Sequence, residues 1–373
     1  MALNNFFMKL PNLNKLEDVA LRFSAKLKRF IPPQKTKPSL GLDIGSSCIK
    51  LLQLQRQGEE LKVTSFGLEP IKNNNREDAL RNVLSSSNIS AKHANISVSG
   101  QGVVLRYVQM PKMSREELKH SVSFELDKYI PFPADEVIID CSIIKDLPNE
   151  GKMLALVAAA KKDLIEQKIA LLEKAGLAPG VISVDSVVLA NVFNLLCSEA
   201  SLVQNALSGK ACQTVAILDV GGVLSSLNIL DRGMPLFTRD IFIGGDDITK
   251  RLMNQLGINH EAALKMKEVA DGDWQKAFSA CESVLSNLAT EIRFSFDYFE
   301  TENNLPISML FVTGGGSYLQ GMDSFLQQSL GIEVKPWYPI SALQVGLEVS
   351  GGALKKHGNR LGVALGLALY KND

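Results

Sequence analysis

An α/β protein of two similar lobes facing a common cleft is what the residue pattern predicts, on three grounds. Two segments share the form apolar-Asp-apolar-Gly-small, Leu42-Asp43-Ile44-Gly45-Ser46-Ser47 and Leu218-Asp219-Val220-Gly221-Gly222. Each belongs to a run that reads as three strands joined by tight turns, residues 41–45, 47–55 and 60–68 in the first half and 214–219, 225–231 and 234–241 in the second. A third glycine turn, Thr313-Gly314-Gly315-Gly316-Ser317, ends the apolar strand 308–313.

These turns imply a chemistry. Glycine and serine let backbone N–H groups approach an anion without Cβ atoms in the way, and the concavity they form favours negative charge. An Asp beside such a turn repels phosphate but holds a hydrated Mg²⁺, an ion that keeps several waters and takes only one or two carboxylates. A single Asp-x-Gly also ends ordinary strands. Two copies followed by a triple-glycine turn point instead to a nucleotide gripped between the lobes, with Asp43 and Asp219 facing one metal.

The intervening elements follow in order. A helix over 76–87 and a strand over 94–99 complete the first meander. A βαββα-like block comes next: a strand over 103–108, a helix over 115–129 with Leu118, Val122, Phe124, Leu126 and Tyr129 on its apolar face, and a stop at Ile130-Pro131-Phe132-Pro133. Strands over 136–144 and 152–160 and a helix over 161–175, ended by Gly176, close the block. Strand 180–184 and an apolar helix over 186–196 lead back to the main body. In the second half a helical stretch over 248–302 is broken by Gly257 and Gly272, and a helix over 321–330, a short strand over 332–335 and a terminal helix over 360–370 finish the chain.

Composition narrows the function classes. At 373 residues there is room for two domains, and 46% hydrophobic with 21% charged residues suits a globular protein. Lys+Arg and Asp+Glu both number 40, so no global field recruits nucleic acid. Cys48, Cys141, Cys197, Cys212 and Cys281, and likewise His93, His120, His260 and His357, are scattered without zinc or catalytic spacing. No apolar run approaches the ~20 residues of a membrane span, and no signal-peptide pattern opens the chain. A cytoplasmic protein with reduced thiols is expected.

The first forty residues read differently. Phe6, Phe7, Leu10, Leu13, Leu16, Val19, Ala20, Phe23, Leu27 and Ile31 recur at roughly helical spacing among Lys9, Lys15, Arg22, Lys26, Lys28 and Arg29. Such a basic amphipathic helix suits anionic lipid or a partner surface; a tail, or a helix packed on its own domain, fits the same pattern. Pro32-Pro33 and Pro38 break it as a linker.

With Gly244-Gly245-Asp246-Asp247 between the second and third glycine turns, the chain from Leu40 to Tyr370 resembles the actin-like ATPase superfamily. The position of the inserted block is similar to that in FtsA and PilM. The phrase Phe124-Glu125-Leu126-Asp127-Lys128-Tyr129-Ile130-Pro131-Phe132-Pro133, with Val137 and Asp140, resembles the pattern of PilM-like type IV pilus assembly proteins. So do Arg239-Asp240-Ile241, Phe296-Asp297-Tyr298-Phe299 and Ala364-Leu365-Gly366-Leu367-Ala368-Leu369. The fold implied is the two-lobed actin-like fold with an FtsA/PilM-type insertion. Its parts would be an N-terminal extension (1–38), a first lobe (39–108 and 180–212), the insertion (109–179), a second lobe (213–245 and 306–373) and a helical subdomain (246–305).

The resemblance also implies roles. ATP with Mg²⁺ would be bound by Asp43, Gly45, Ser46 and Ser47, by Asp219, Gly221 and Gly222, by Gly244 and Gly245, by Lys267, and by Gly314, Gly315, Gly316 and Ser317, with Asp43 and Asp219 toward the metal through water. Lys50 is open between this cleft and a solvated strand position. Asp185 stands where the superfamily orients the attacking water, and as an Asp before Ser186 it equally suits an N-terminal helix cap. Val223 and Leu224 stand where many relatives have a small residue and narrow the approach to the γ-phosphate. Leu264 in place of a ribose-contacting Glu implies lower nucleotide affinity or selectivity, and because Asp185 is short for positioning water, slow or absent turnover is expected. In PilM relatives the partner is the N-terminal cytoplasmic segment of the inner-membrane protein PilN, docked between first lobe and insertion. Val104, Tyr107, Tyr129, Ile130 and Phe132 are candidates for that groove, with subdomain core as the other reading, and Phe124 is expected in the core.

Three function classes follow: a cytoplasmic ATP-binding pilus adaptor held at the inner membrane by partners, including other pilus inner-membrane and motor components; an FtsA-like filament or membrane scaffold that self-associates; and a sugar-kinase-like enzyme, for which no catalytic base on a substrate loop is visible.

Overall fold

The computed structural model describes residues 37–57, 60–147, 150–199, 214–268, 274–346 and 349–370; the amphipathic N-terminal segment lies outside them. The chain runs through strands β1 (Ser39–Ile44), β2 (Cys48–Gln57), β3 (Glu60–Pro70) and β4 (His93–Val98) into a block of β5 (Val103–Pro111), β6 (Val137–Leu147) and β7 (Lys152–Lys161), and returns on β8 (Ala178–Val184). The second half carries β9 (Thr214–Val220), β10 (Ser225–Asp231), β11 (Met234–Ile241), β12 (Met309–Thr313) and β13 (Glu333–Pro336), and β14 (Gln344–Val345) crosses back to the first.

The two large sheets have one plan. The first is ordered β14-β3-β2-β1-β4-β8 and the second β11-β10-β9-β12-β13. In both, a three-strand antiparallel meander continues into parallel strands on the far side of its first strand. The central strands β1, β9 and β12 are buried almost throughout, as strands covered on both faces must be.

Helices α1 (Arg76–Ser86), α2 (Arg115–Phe124), α3 (Lys162–Lys174) and α4 (Asp185–Glu199) belong to the first half. Helices α5 (Gly245–Leu256), α6 (His260–Glu268), α7 (Trp274–Asn303), α8 (Met322–Leu330) and α9 (Gly362–Ala368) belong to the second. The core of the second lobe gathers Leu218, Leu227 and Leu310 from its sheet with Leu252 of α5 and Leu285, Ile292 and Phe299 of α7. Helices α4 and α9 are buried around most of their circumference, and they touch each other where small residues allow it. A Cβ on Gly366 would overlap the side chain of Val188 and lie 2.7 Å from its carbonyl oxygen. A Cβ on Gly41 would overlap the carbonyl oxygen of Ala364, so β1 presses directly on the backbone of α9.

The inserted block is a three-stranded antiparallel sheet, order β5-β7-β6. One face packs under Leu118 and Val122 of α2, and the other rests on Val98, Val184 and Val187 of the first lobe. A capping box, Ser114 with Glu117, starts α2.

The structure departs from the sequence reading at identifiable points. The helix expected over 115–129 stops at Phe124, because Glu125 leaves helical geometry (φ −109°, ψ 22°), and a separate turn, Leu126–Tyr129, follows. Phe124 points outward, 88% exposed, and is not core: at about 3.6 residues per turn it stands roughly 120–160° around the helix from the buried Leu118 and Val122. β5, which the border at 108/109 leaves mostly in the first lobe, pairs along its length with β7 and belongs to the inserted sheet. The stretch 248–302 divides into parts of three helices and begins earlier, at Gly245, while β14 and a short helix, Gly351–Lys356, carry no clear signal in the sequence.

The β1–α9 contact makes a stability prediction. Gly41→Val places a side chain against backbone that cannot give way and should cost more than about 3 kcal/mol, seen as a lower urea midpoint or loss of folded protein. Gly351→Ala, whose Cβ meets nothing within 4 Å at the start of a helix, should be neutral or stabilising by about 0.5–1 kcal/mol.

Candidate functional site

The two Asp-x-Gly turns close in the same way. Gly45 N–H donates to the Cys48 carbonyl at 3.2 Å, and Gly221 N–H donates to the Leu224 carbonyl at 3.0 Å. Each bond joins the residue two after the Asp to the residue five after it, leaving Ser46-Ser47 and Gly222-Val223 at the tips. The tips meet: a Cβ on Gly222 would lie 2.6 Å from Ser46 Oγ and 2.5 Å from Ser47 Oγ. Among the described residues, the backbone N–H groups of Ser46, Ser47, Gly222 and Val223 donate to no protein acceptor. That is the donor set an anion needs.

The start of α5 holds the second turn. Gly245 and Asp246 N–H donate to the carbonyls of Gly221 and Gly222 at 2.8 and 2.9 Å, and the Asp247 carboxylate accepts from Gly244 N–H at 2.9 Å. The helix's first donors are thus occupied by protein, and Gly244 and Gly245 support the turn from behind. The triple-glycine turn closes in from the other side. Gly314 has φ +92°, and a Cβ there would overlap Asp219 Oδ1, so only glycine fits. Gly245 is 3.0 Å, measured from an added Cβ, from Gly316 Cα.

Six charged side chains line the cleft between the turns, whose volume is ≈ 540 Å³: Asp43, Asp185 and Asp219 with Lys50, Lys168 and Arg76. Lys50 Nζ lies 2.6 Å from Asp43 Oδ2. Burial works against the charged ammonium, but Asp43, with Cys48 and Asp219, outweighs it and holds Lys50 above its ordinary value. Lys168 donates to the carbonyls of Ser97 at 2.6 Å and Ile44 at 3.4 Å, and burial lowers it. Asp185 opens α4; burial and then Asp43 raise its carboxyl, against Lys168 and hydrogen bonds from Ser97 and Ser99. Asp219 is pushed up to about 7 by burial, with Asp43, Asp185 and Asp240 adding to the rise and Lys50 opposing it.

Lys267 lies outside this cleft. It is 6% exposed, lowered by burial, and donates to Gly245 O at 3.2 Å and Thr249 Oγ1 at 3.0 Å. Close by, Arg360 pairs with Glu268 and stacks 4.4 Å from the Tyr318 ring centre. Asn359 donates to Ser317 Oγ, while Asn359 Oδ1 and Arg360 Nε are buried without a partner.

A second cavity, ≈ 380 Å³, adjoins the first and shares Ser99, Gly100, Gln101 and Phe242 with it. Val104 and Phe132 line it, beside the outer edge of β5. The other three groove candidates lie elsewhere. Ile130 is 3% exposed and packs in the core under α2, Tyr129 packs partly against that core, and Tyr107 faces the opposite side of β5 from Val104. Val103 and Leu105, on the face of Tyr107, do line the cavity beside Val104, so it is the place of Tyr107 farther along β5 that leaves it out.

Sequence reasoning left Lys50 open and passed over Lys168, Asp240, Glu268, Asn359 and Arg360. For Lys50 a signal existed: a hairpin closed between Gly45 and Cys48 sets Asp43 opposite Lys50, the register observed. The same rule sets Ser226 opposite Asp219. Asp240 stands on β11 as the partner of Ser226, while the other residues come from distant helices and turns that no spacing joins.

The type IV pilus assembly protein PilM family model matches residues 41–372. The chain belongs to the PilM family. A solved structure described as the PilM-PilN type IV pilus biogenesis complex is similar at TM-score 0.75 and 27% identity, covering 89% of this chain and 97% of that one. The ethanolamine utilization protein EutJ from Carboxydothermus hydrogenoformans has a similar fold, TM-score 0.52 at 14% identity, covering 94% and 99%. The two-lobed actin-like α/β architecture implied by the motifs is therefore the fold of this PilM-family chain. Among the described residues no helix is long and apolar enough to cross a membrane.

The raised Asp219 carboxyl has a thermodynamic sign. A carboxyl whose folded value exceeds its unfolded one takes up a proton on folding, so stability falls as pH rises from the ordinary carboxylate range through about 7. Asp219→Asn should stabilise the ligand-free protein by roughly 1–3 kcal/mol at pH 8 and hardly at pH 5, measured by thermal melting at both values.

Proposed function

We propose that this PilM-family chain is a nucleotide-binding adaptor of type IV pilus assembly that docks the N-terminal cytoplasmic segment of a PilN-like inner-membrane protein. The observation that carries the reading is the juxtaposition of two cavities, a cleft ringed by free backbone donors and a groove beside the open edge of β5. Support for the partner comes from the similar structure described as a PilM-PilN complex.

The donor set fits a nucleoside triphosphate. Ser46, Ser47, Gly222 and Val223 offer N–H groups, Lys50 adds positive charge, and Asp43 and Asp219 suit a magnesium ion bridged by water. Magnesium would neutralise the phosphates where the two turns meet. Among the described residues no three His, Cys, Asp or Glu side chains converge as a ready metal cage; a magnesium ion with its own waters and phosphate ligands needs none. The base and ribose would lie toward Gly314, Gly315, Gly316 and Ser317, where Asn359 Oδ1 and Arg360 Nε lack partners. Asp185, at the start of α4 in the cleft wall, is the group for orienting water, and its short reach fits slow turnover.

The groove fits an extended peptide. β5 is an edge strand, so its outer backbone groups can pair with an added strand, while Val104 and Phe132 offer an apolar wall. Lys161 sits 5.0 Å from the Phe132 ring centre and holds that ring in place. Attachment to the membrane would then run through the partner.

Two measurements test the reading. Calorimetric titration of a synthetic peptide of the first residues of the PilN-like protein from the same genome should show saturable binding, weakened at least tenfold by Val104→Asp or Phe132→Asp; binding unaffected by both variants would remove the groove. Mg-AMPPNP should bind the wild-type protein, and Lys50→Ala should weaken it by tenfold or more, since a buried charge-assisted contact is worth about 1.5–3 kcal/mol.

A further inference from the structure

One hydrogen-bonded bridge joins the second lobe to the wall that both cavities share. Asp240, on β11, accepts from Ser226 Oγ at 2.5 Å through Oδ1 and from Gly100 N–H at 3.0 Å through Oδ2. Ser226 stands opposite Asp219 in the hairpin that carries the second phosphate turn. Gly100 sits in the turn between β4 and β5, at φ +85°, closed by Val103 N–H on its carbonyl at 2.9 Å. On one side of that turn, Ser97 O holds Lys168, and Ser99 lines the cleft with Asp185. On the other side, β5 begins and forms the edge of the groove.

We propose that Asp240 is the positioning residue that couples nucleotide in the cleft to peptide in the groove, by tying the second phosphate hairpin to the β4–β5 turn. The proposal rests on the adaptor reading above and adds the route by which its two sites communicate. Its physical basis is the arrangement of the bridge. A phosphate drawn between Ser46-Ser47 and Gly222-Val223 moves the two lobes relative to each other. The hydroxyl of Ser226 moves with the second lobe, and the charge-assisted bond to Gly100 N–H pulls on a short turn. Gly100 tolerates this only because it already holds a backbone conformation that side chains rarely adopt. The start of β5 follows the turn, so its outer edge presents a different register of donors and acceptors to the peptide. A bridge of this kind is a two-site coupling in the thermodynamic sense, and the effect must be reciprocal.

The test is a binding cycle on the full chain, using Mg-AMPPNP and the synthetic N-terminal peptide as probes. Each is titrated alone and in the presence of saturating amounts of the other, for wild type, Asp240→Asn and Ser226→Ala. The readout is the ratio of peptide dissociation constants with and without nucleotide, not either affinity. Wild type should show a ratio of about 5-fold or more, within the usual range of coupling, equal to the ratio for nucleotide with and without peptide. Asp240→Asn keeps the shape but loses the charge and one acceptor, and Ser226→Ala removes the hydroxyl that orients the Asp240 carboxylate toward Gly100, Asp240 staying anchored beside Ser226 in the sheet. Both should bring the ratio to within about twofold of unity while the protein still binds each probe.

A wild-type ratio that survives in either variant overturns the proposal, as does a wild type that binds both probes with no coupling. If wild type binds neither nucleotide nor peptide, the adaptor reading fails as well, and that outcome is distinguished by the single titrations. If one variant does not fold, the other decides, because each interrupts the same bridge.

Discussion

The site depends on backbone approaching backbone more closely than any side chain would permit. Gly222 lies against Ser46 and Ser47 of the opposite lobe, Gly244 against the backbone of Gly222, and Gly314 against Asp219 and Val220. A methyl group at any of these points would separate the turns, and the ring of unpartnered N–H groups would open. The same kind of contact recurs deeper, where Gly41 meets the backbone of α9 and Gly366 meets α4. Those two helices join the lobes. Small residues at this junction let two sheets of the same plan face each other at a separation a phosphate chain can bridge.

Charge in the cleft follows from that closeness. Three carboxylates and two ammonium groups are withdrawn from water together, and burial acts on every one of them in the direction of neutrality. Lys50 and Asp43 answer it by pairing. Asp219 has no such partner and is raised to about 7. A ligand that brings its own cation relieves this imbalance, and so the ligand-free cleft is under electrostatic tension that nucleotide with magnesium would release. The lysines are not equivalent. Lys50 faces the carboxylates, whereas Lys168 is held by two backbone carbonyls and pins β1 and β4 to α3.

The inserted sheet gives the first lobe a second task. Its inner face packs on Val98, Val184 and Val187, residues that flank Asp185 and the β4–β5 turn. The sheet is therefore not an appendage; its seat is the floor of the cleft. Because β7 is central, β5 and β6 remain edges. The edge of β5 faces the second lobe, where Asp240 and Phe242 complete the groove.

Local pattern was enough for the strands, for both Asp-x-Gly turns and for the triple-glycine turn, because glycine spacing and apolar runs report backbone geometry directly. It also carried the repeat of the two lobes, but left Lys50 open although the turn length sets it opposite Asp43. It failed where a side chain's surroundings come from elsewhere in the chain. Phe124 is a miss of another kind: set on the apolar face with Leu118 and Val122, it stands away from both at about 3.6 residues per turn, and it lies in solvent. Lys267 is a site residue by resemblance, yet its amine is occupied by Gly245 and Thr249. Asn359 and Arg360 sit in a segment with no phosphate motif, yet Asn359 O accepts from Gly314 N–H of the triple-glycine turn, and Asp240 meets Gly100 across a separation of 140. What a residue's neighbours in sequence set is its backbone shape; what it touches is set by which surfaces the two sheets bring together, and that depends on packing summed over the whole chain.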